Sequence, residues 1–219
     1  MLLKENGQKR LIKYKINNKK FIYLISPNKI DNQSFYHTLE KILKTNRIAF
    51  FQLRLKRTSK KTCILASKKI KKICKKYNVK FIVNDDPFLA KEVDADGCHL
   101  GQSDMKITDA RKILGKKKII GVTCHNSKKL VKKNIKNKAN YIALGAFFKT
   151  KTKLTKYLAN FKTLIWAKKV TKIPIVAIGG IKVDNYQKLL LNRADFLAIS
   201  SYIWKNKKYK PLKALEKLK

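Results

Sequence analysis

Acidic side chains are scarce in this chain, so where they fall is informative. Of 13 Asp and Glu residues, seven lie within 85–109: Asp85, Asp86, Glu92, Asp94, Asp96, Asp104 and Asp109. Asp85 closes the apolar run KFIVND, and Asp104 lies just past GCHLG. Two carboxylates at neighbouring strand ends can share one hard cation. Mg²⁺ suits them best, because it keeps waters and takes substrate oxygens to complete its octahedron. Both residues could equally cap loops. In FFQLRLK, Gln52, Arg54 and Lys56 alternate and therefore share one side of a strand end. A charged pair aimed into a confined mouth is costly unless it meets an anion. Arg54 offers a fork for phosphate oxygens and Lys56 a point charge. A solvated strand end is the plainer alternative.

Three further stretches carry donors. GAFFKTKTK (145–153) holds Thr150, Thr152 and Lys153 on a loop that could close over a phosphate. Gly179-Gly180 and Ser200-Ser201 each follow an apolar run, where backbone N–H groups can receive an anion. Two glycines can also simply permit a tight turn. His99 and His125 stand at strand ends, where acid–base work is conceivable, and we read both as structural. His37 falls in an outer helix and is incidental. There is no Cys/His nucleophile pairing, no GxSxG and no P-loop.

The elements that must position these groups show as eight short apolar runs. They are FIYLIS, AFFQLRL, KFIVND, GCHLG, IIGVTC, YIALGAF, IPIVAIG and FLAISS. Most are continuous rather than alternating, as in strands buried on both faces. Helical spacing separates them. Ile64, Leu65, Ile70 and Ile73 are expected on one face of a helix over 60–76, and 107–114 ends at a natural cap, Gly115. Ser127 precedes an amphipathic 128–137, and Asp184 is expected where the next-to-last helix begins. Alternating strands and helices imply right-handed βαβ units. Eight in a row predict an α/β fold, a single parallel (β/α)₈ TIM barrel over 21–219, preceded by a basic N-terminal extension, 1–20. No repeat is visible beyond this alternation.

Composition bounds the partners. The 219 residues include 54 Lys and Arg against 13 Asp and Glu, a formal charge of +41, with 44% hydrophobic residues. That apolar content argues for a folded core. The lysines are spread along the whole chain and outnumber the arginines, whereas base readers favour Arg. Specific nucleic-acid binding is therefore not expected. No apolar run reaches membrane-helix length, and the first residues lack a secretory h-region. Cys63, Cys74, Cys98 and Cys124 form no CxxC pair, which fits plain thiols in a reducing cytoplasm.

Together these residues resemble the thiamine-phosphate synthase / thiazole tautomerase family of barrels, from FIYLIS to about Trp204. QLRLK resembles the family's Q-x-R-E-K, IVNDD its x-x-N-D-R, and ADGCHLGQSD its A-D-G-V-H-L-G-Q-x-D. GVTCHN, GAFFKTKTK, IPIVAIGGI and ADFLAISS follow in the family's order. The resemblance implies a transferase of thiamine biosynthesis. It would join 4-amino-2-methyl-5-pyrimidinylmethyl diphosphate to a thiazole phosphate, with Mg²⁺, releasing pyrophosphate. By the same resemblance, Gln52, Arg54, Lys56, Asn84, Thr123 and Lys153 would hold the pyrimidine diphosphate. Arg54, Lys56, Lys153 and Thr123 would act in catalysis, and Asp85 and Asp104 would hold Mg²⁺. Thr150, Lys151, Thr152, Gly180, Ser200 and Ser201 would meet the thiazole phosphate.

The chain departs from the family's pattern at six places. Leu55 replaces a common Glu and is expected to face the barrel wall. Asp86 stands for Arg, Thr123 for Ser, Asn140 for Asp and Arg193 for Gly. Ala146 stands for Pro, which predicts a looser flap. Two other functions remain in view: a thiazole-phosphate tautomerase, and an idle basic barrel that binds nucleic acid. A homo-oligomer is left open.

Overall fold

In the computed structural model, residues 20–30, 33–150 and 158–218 are described. Eight parallel strands close into a barrel in chain order. They are β1 (Ile22–Ile25), β2 (Ile48–Leu53), β3 (Lys80–Asn84), β4 (Gly97–Leu100), β5 (Ile119–His125), β6 (Tyr141–Gly145), β7 (Ile175–Ile178) and β8 (Phe196–Ile199). The pairing of Ile22 with Leu197 closes the ring. The outer layer comprises α1 (Gln33–Lys44), α2 (Lys60–Lys76), α3 (Pro87–Glu92), α4 (Ile107–Leu114), α5 (Lys128–Lys136), α6 (Phe161–Val170), α7 (Tyr186–Leu191), α8 (Ser201–Trp204) and α9 (Pro211–Glu216). The expected (β/α)₈ barrel is the observed one. No helix among the described residues is long and apolar enough to cross a membrane.

The continuous apolar runs have a simple cause. Outward residues such as Leu24, Phe51, Val83 and Ile120 pack against the helices in one large core. Inward residues fill the barrel in a second, smaller core of Tyr23, Ile25, Ile82, Tyr141, Ala143, Val176 and Ala198. Leu55 packs on the outer core, so it does face the wall.

Two helix readings need correction. On α2 the buried positions are Ala66, Ser67, Ile70 and Cys74, while Leu65 is 55% exposed. Leu65 lies five residues before Ile70, an offset that leaves the buried stripe of a 3.6-residue helix. Asp184 does not begin α7. The helix starts at Tyr186 after Asn185, whose Oδ1 accepts from Lys182 N, and Asp184 pairs with Lys182 instead. The other caps are as read. Ser127 Oγ accepts from Leu130 N, and Gly115 ends α4 at a φ of 74°.

A repeat emerges that the apolar pattern hides. Each of β4, β6 and β8 is preceded by Ala and then Asp or Asn: Ala95-Asp96, Ala139-Asn140 and Ala194-Asp195. Asp96 accepts from Phe81 N, Asn140 from Ile120 N and Asp195 from Ile175 N, each at 2.8–2.9 Å. The acceptor needs only one side-chain oxygen, so Asn140 serves as well as an acid. At Arg193 the φ is 71°, a left-handed conformation that explains the family's glycine there. The four cysteines are free thiols, three of them buried.

Candidate active site

Period-two alternation delivers the polar residues to one end of the barrel. Gln52, Asn84, His99 and Thr123 stand at the C-terminal ends of β2 to β5 and line one open cleft of about 1420 Å³. Arg54, Lys56, Asp85 and Asp104 line the same cleft, as do Thr150, Gly180, Ser200 and Ser201. Every sequence-predicted site residue within the described segments is therefore in one place. Lys151, Thr152 and Lys153 lie outside the described residues.

Gln52 is 2% exposed, and its Nε2 has no hydrogen-bond partner among the described residues. A buried amide donor without an acceptor costs about 1–3 kcal/mol. Such a donor is in place for a ligand acceptor. Beyond β2 the chain is held by the neighbouring β1 loop, which sequence reading missed. Arg54 N donates to Ser26 Oγ at 2.9 Å, and Arg54 Nη1 donates to Asn28 Oδ1 at 2.9 Å. Lys56 N donates to Asn28 O at 3.2 Å. Ser200 Oγ donates to Ser26 O at 3.1 Å, tying β8 into the same rim. SPN carries no sequence signal for this role, since the role depends on β1 lying beside β2 and β8.

The carboxylates form a pair. Asp85 adopts a φ of 65°, an unfavourable conformation for a non-glycine residue that recurs at functional sites. Its pKa is pushed up to about 6, first by burial and then by the Asp104 carboxyl, against the pull of Arg54 and a hydrogen bond from Asn84. Asp104 Oδ2 also accepts from Gly101 N at 2.6 Å. Asp104 therefore caps its loop, as the plainer alternative has it, and its carboxyl also meets Asp85. Asp86 is a helix cap, with Oδ1 accepting from Leu89 N at 2.9 Å. No cluster of three or more His, Cys, Asp or Glu residues exists among the described residues.

Gly179 and Gly180 sit at φ 102° and 65°. A Cβ on Gly180 would lie 2.6–2.7 Å from the carbonyls of Lys149 and Phe148, so the turn admits only glycine. Phe147 N and Phe148 N donate to Ile178 O and Gly179 O, and Ala159 N donates to Ala146 O. The loop that leads to Thr150 is therefore fastened at its base, with Ala146 in place of proline. His99 is structural, as read, and buried. Nδ1 meets Tyr141 Oη at 2.9 Å and Nε2 meets Thr123 Oγ1 at 2.8 Å. Burial pushes its pKa down to about 4. Gln102 Nε2 donates to Thr123 O.

A parallel barrel whose C-terminal mouth gathers Arg, Lys, an Asp pair and a Gly-Gly turn belongs to the class of barrel enzymes that handle phosphorylated small molecules. A family model described as thiamine monophosphate synthase matches residues 22–203, and the chain belongs to that family. It is 62% identical over 202 residues to the thiamine-phosphate synthase of Pelagibacter ubique, covering 92% of this chain and 97% of that one. It is 37% identical to that of Clostridioides difficile, over 84% of this chain and 87% of that one. A solved thiamine phosphate pyrophosphorylase from Pyrococcus furiosus superposes with a TM-score of 0.79 at 28% identity, covering 92% and 94%. A 3-hexulose-6-phosphate synthase shares the barrel alone, at 14% identity and a TM-score of 0.61.

Proposed function

We propose that this chain is a thiamine-phosphate synthase acting in the cytoplasm. It would join the pyrimidinylmethyl diphosphate to the thiazole phosphate and release pyrophosphate. The observation that carries the reading is the placement of Arg54, Lys56, Gln52 and the Asp85–Asp104 pair in one cleft. Family membership supplies the reaction.

The two carboxylates suit Mg²⁺. They are brought close enough for Asp104 to raise the proton affinity of Asp85, a penalty that a shared cation removes. A site with two carboxylates and no further ligating cluster matches an ion that takes its remaining oxygens from water and phosphate. When bound there, Mg²⁺ would neutralise charge on the diphosphate. The chain's own groups do the rest. Arg54 and Lys56 stabilise the charge that develops on the leaving pyrophosphate, with Lys153 of the loop joining them. Gln52 and Asn84 orient the pyrimidine. The Gly180 turn, Thr150, Ser200 and Ser201, with Lys151 and Thr152, hold the thiazole phosphate. The Ser200 hydroxyl proton is already given to Ser26 O, so Ser200 would contribute its backbone N–H or its lone pairs.

Breaking the methylene C–O bond leaves a cation that the aminopyrimidine delocalises, and the thiazole nitrogen forms the new C–N bond. No protein nucleophile is required. Holding the two partners in line and keeping water from the cation are the protein's tasks. The test is a coupled assay. Purified protein with both substrates and Mg²⁺ should release pyrophosphate, and EDTA should stop it. Folded protein that releases none sinks the reading.

A further inference from the structure

Four side chains from four strands form one continuous hydrogen-bonded line from the centre of the barrel to the cleft. Tyr23 Oη meets Tyr141 Oη at 2.7 Å. Tyr141 Oη meets His99 Nδ1 at 2.9 Å, and His99 Nε2 meets Thr123 Oγ1 at 2.8 Å. Tyr23, Tyr141 and His99 are buried. The glycine of β5 makes the line possible. A Cβ on Gly121 would stand 1.8 Å from Tyr141 Cζ, so only a glycine lets that ring cross the barrel and stack on His99.

Counting protons fixes the direction of every bond. The only partner of the Tyr23 hydroxyl among the described residues is Tyr141. If Tyr23 donates, Tyr141 must pass its own proton to His99 Nδ1. A neutral His99 then carries its proton on Nε2 and donates to Thr123 Oγ1. Thr123 keeps its own proton, facing the cleft. If instead Thr123 donates to Nε2, then Nδ1 carries the proton and donates to Tyr141, and either Tyr141 or Tyr23 holds an O–H with no acceptor inside the barrel. A buried unpaired donor is the costlier arrangement. One arrangement satisfies every buried proton, and it ends on a free Thr123 O–H at the cleft.

We propose that Tyr23, Tyr141 and His99 are positioning residues that order the protons so that Thr123 serves as a hydrogen-bond donor to an acceptor atom of the pyrimidine diphosphate. His99 is then neither a base toward Thr123 nor a proton carrier to the substrate. The low proton affinity of His99 agrees, since an imidazolium would have to donate to Tyr141 as well. The identity of the ligand rests on the proposed synthase reading. The direction of the protons does not.

Two measurements test it. ¹⁵N-resolved NMR of the ligand-free protein should show the His99 proton on Nε2, and a proton on Nδ1 overturns the proposal. In the pyrophosphate-release assay, Tyr141→Phe should lower kcat about tenfold, the order of one hydrogen bond. Thr123→Val should lower it about 10²–10³-fold. If Tyr141 acts through Thr123, adding Tyr141→Phe to Thr123→Val should cost less than about twofold. The same tenfold loss in both backgrounds would mean that Tyr141 only supports the fold, and the proposal falls. A wild-type protein that releases no pyrophosphate refutes the synthase reading, while the NMR result still decides the proton order.

Discussion

Removing the Arg54 guanidinium should be among the most damaging single changes to turnover. Arg54 presents five N–H donors, and one of them, on Nη1, is committed to Asn28 Oδ1 at 2.9 Å. Its backbone N–H is held by Ser26 Oγ, so the side chain leaves a fixed point on the rim. The remaining donors are available to a diphosphate in the cleft. One preorganised donor to developing negative charge is worth about 10²–10³ in kcat. Arg54→Ala should therefore lower pyrophosphate release by about that factor at saturating substrates. Arg54→Lys keeps the charge but cannot hold Asn28 and a phosphate with one planar fork, so it should fall in between. Asn28→Ala removes only the anchor. At about 1 kcal/mol for one hydrogen bond, it should cost about fivefold. In the Arg54→Ala background it should cost almost nothing, because the group it positions is gone. An Arg54→Ala protein with intact circular dichroism and a rate within about threefold of wild type would refute the reasoning. It would also favour a tautomerase, which has no diphosphate to hold.

Three further outcomes follow from the same geometry. Gly121→Ala forces the Tyr141 ring to move, since the new Cβ would lie 1.8 Å from Cζ. Overpacking of this kind costs about 1–3 kcal/mol in urea unfolding, and an unchanged midpoint would contradict the ring placement. Asp96→Ala leaves Phe81 N–H without its 2.9 Å acceptor and should cost about 1–3 kcal/mol, whereas Asp96→Asn should cost less, because Asn140 does the same work for Ile120. His99, with its pKa pushed down to about 4 by burial, should show no NMR titration between pH 8 and 5, and a midpoint near 6.5 would refute its burial. The sign for stability follows. The unfolded chain binds the proton first as pH falls below about 6.5, so His99 destabilises the fold toward pH 4. Asp85, raised to about 6, opposes this, and its contribution is lost as pH rises through about 6.

The strands were legible because each is buried on both faces and its apolar run survives in one dimension. The ends of those runs put Gln52, Asn84 and Thr123 at the cleft, because alternation fixes which side chains point inward, whereas Asp85, next to Asn84, lines it from beyond the strand, at a φ of 65°. The misses share a cause. The stripe on α2 is set by which face meets the barrel, so Leu65 reads as part of the apolar face although it points to water. Asp184 and Asn185 are both capable caps, yet neither side chain caps α7: Asn185 bonds back to Lys182 N and Gly180 O, and Asp184 pairs with Lys182, partners set by the loop after Gly180. Ser26 and Asn28 act on Arg54 across a strand boundary. Tyr23 and Tyr141 looked like ordinary apolar strand residues. Their hydroxyls acquire meaning only once β1, β6, β4 and β5 enclose one interior.

Charge gives a sharper sign of function once the ion pairs are traced. Among the described residues, Glu40, Glu92, Asp94, Asp96, Asp109, Asp184, Asp195 and Glu216 each take a lysine partner. Asp86 is spent on capping α3. In a chain with 54 Lys and Arg, lysine partners are abundant. Yet Asp85 and Asp104, at the cleft, have no ion-pair partner among the described residues. The surplus lysines should steer the approach of substrates, since both proposed substrates are anions. Raising ionic strength from about 0.01 M to 0.1 M shortens the screening length from about 30 Å to 10 Å. It should therefore lower kcat/KM several-fold while leaving kcat nearly unchanged, because capture depends on the long-range field and chemistry on the contacts of Arg54 and Lys56. A kcat/KM that stays flat over that range would show that the field of the whole protein plays no part in capture.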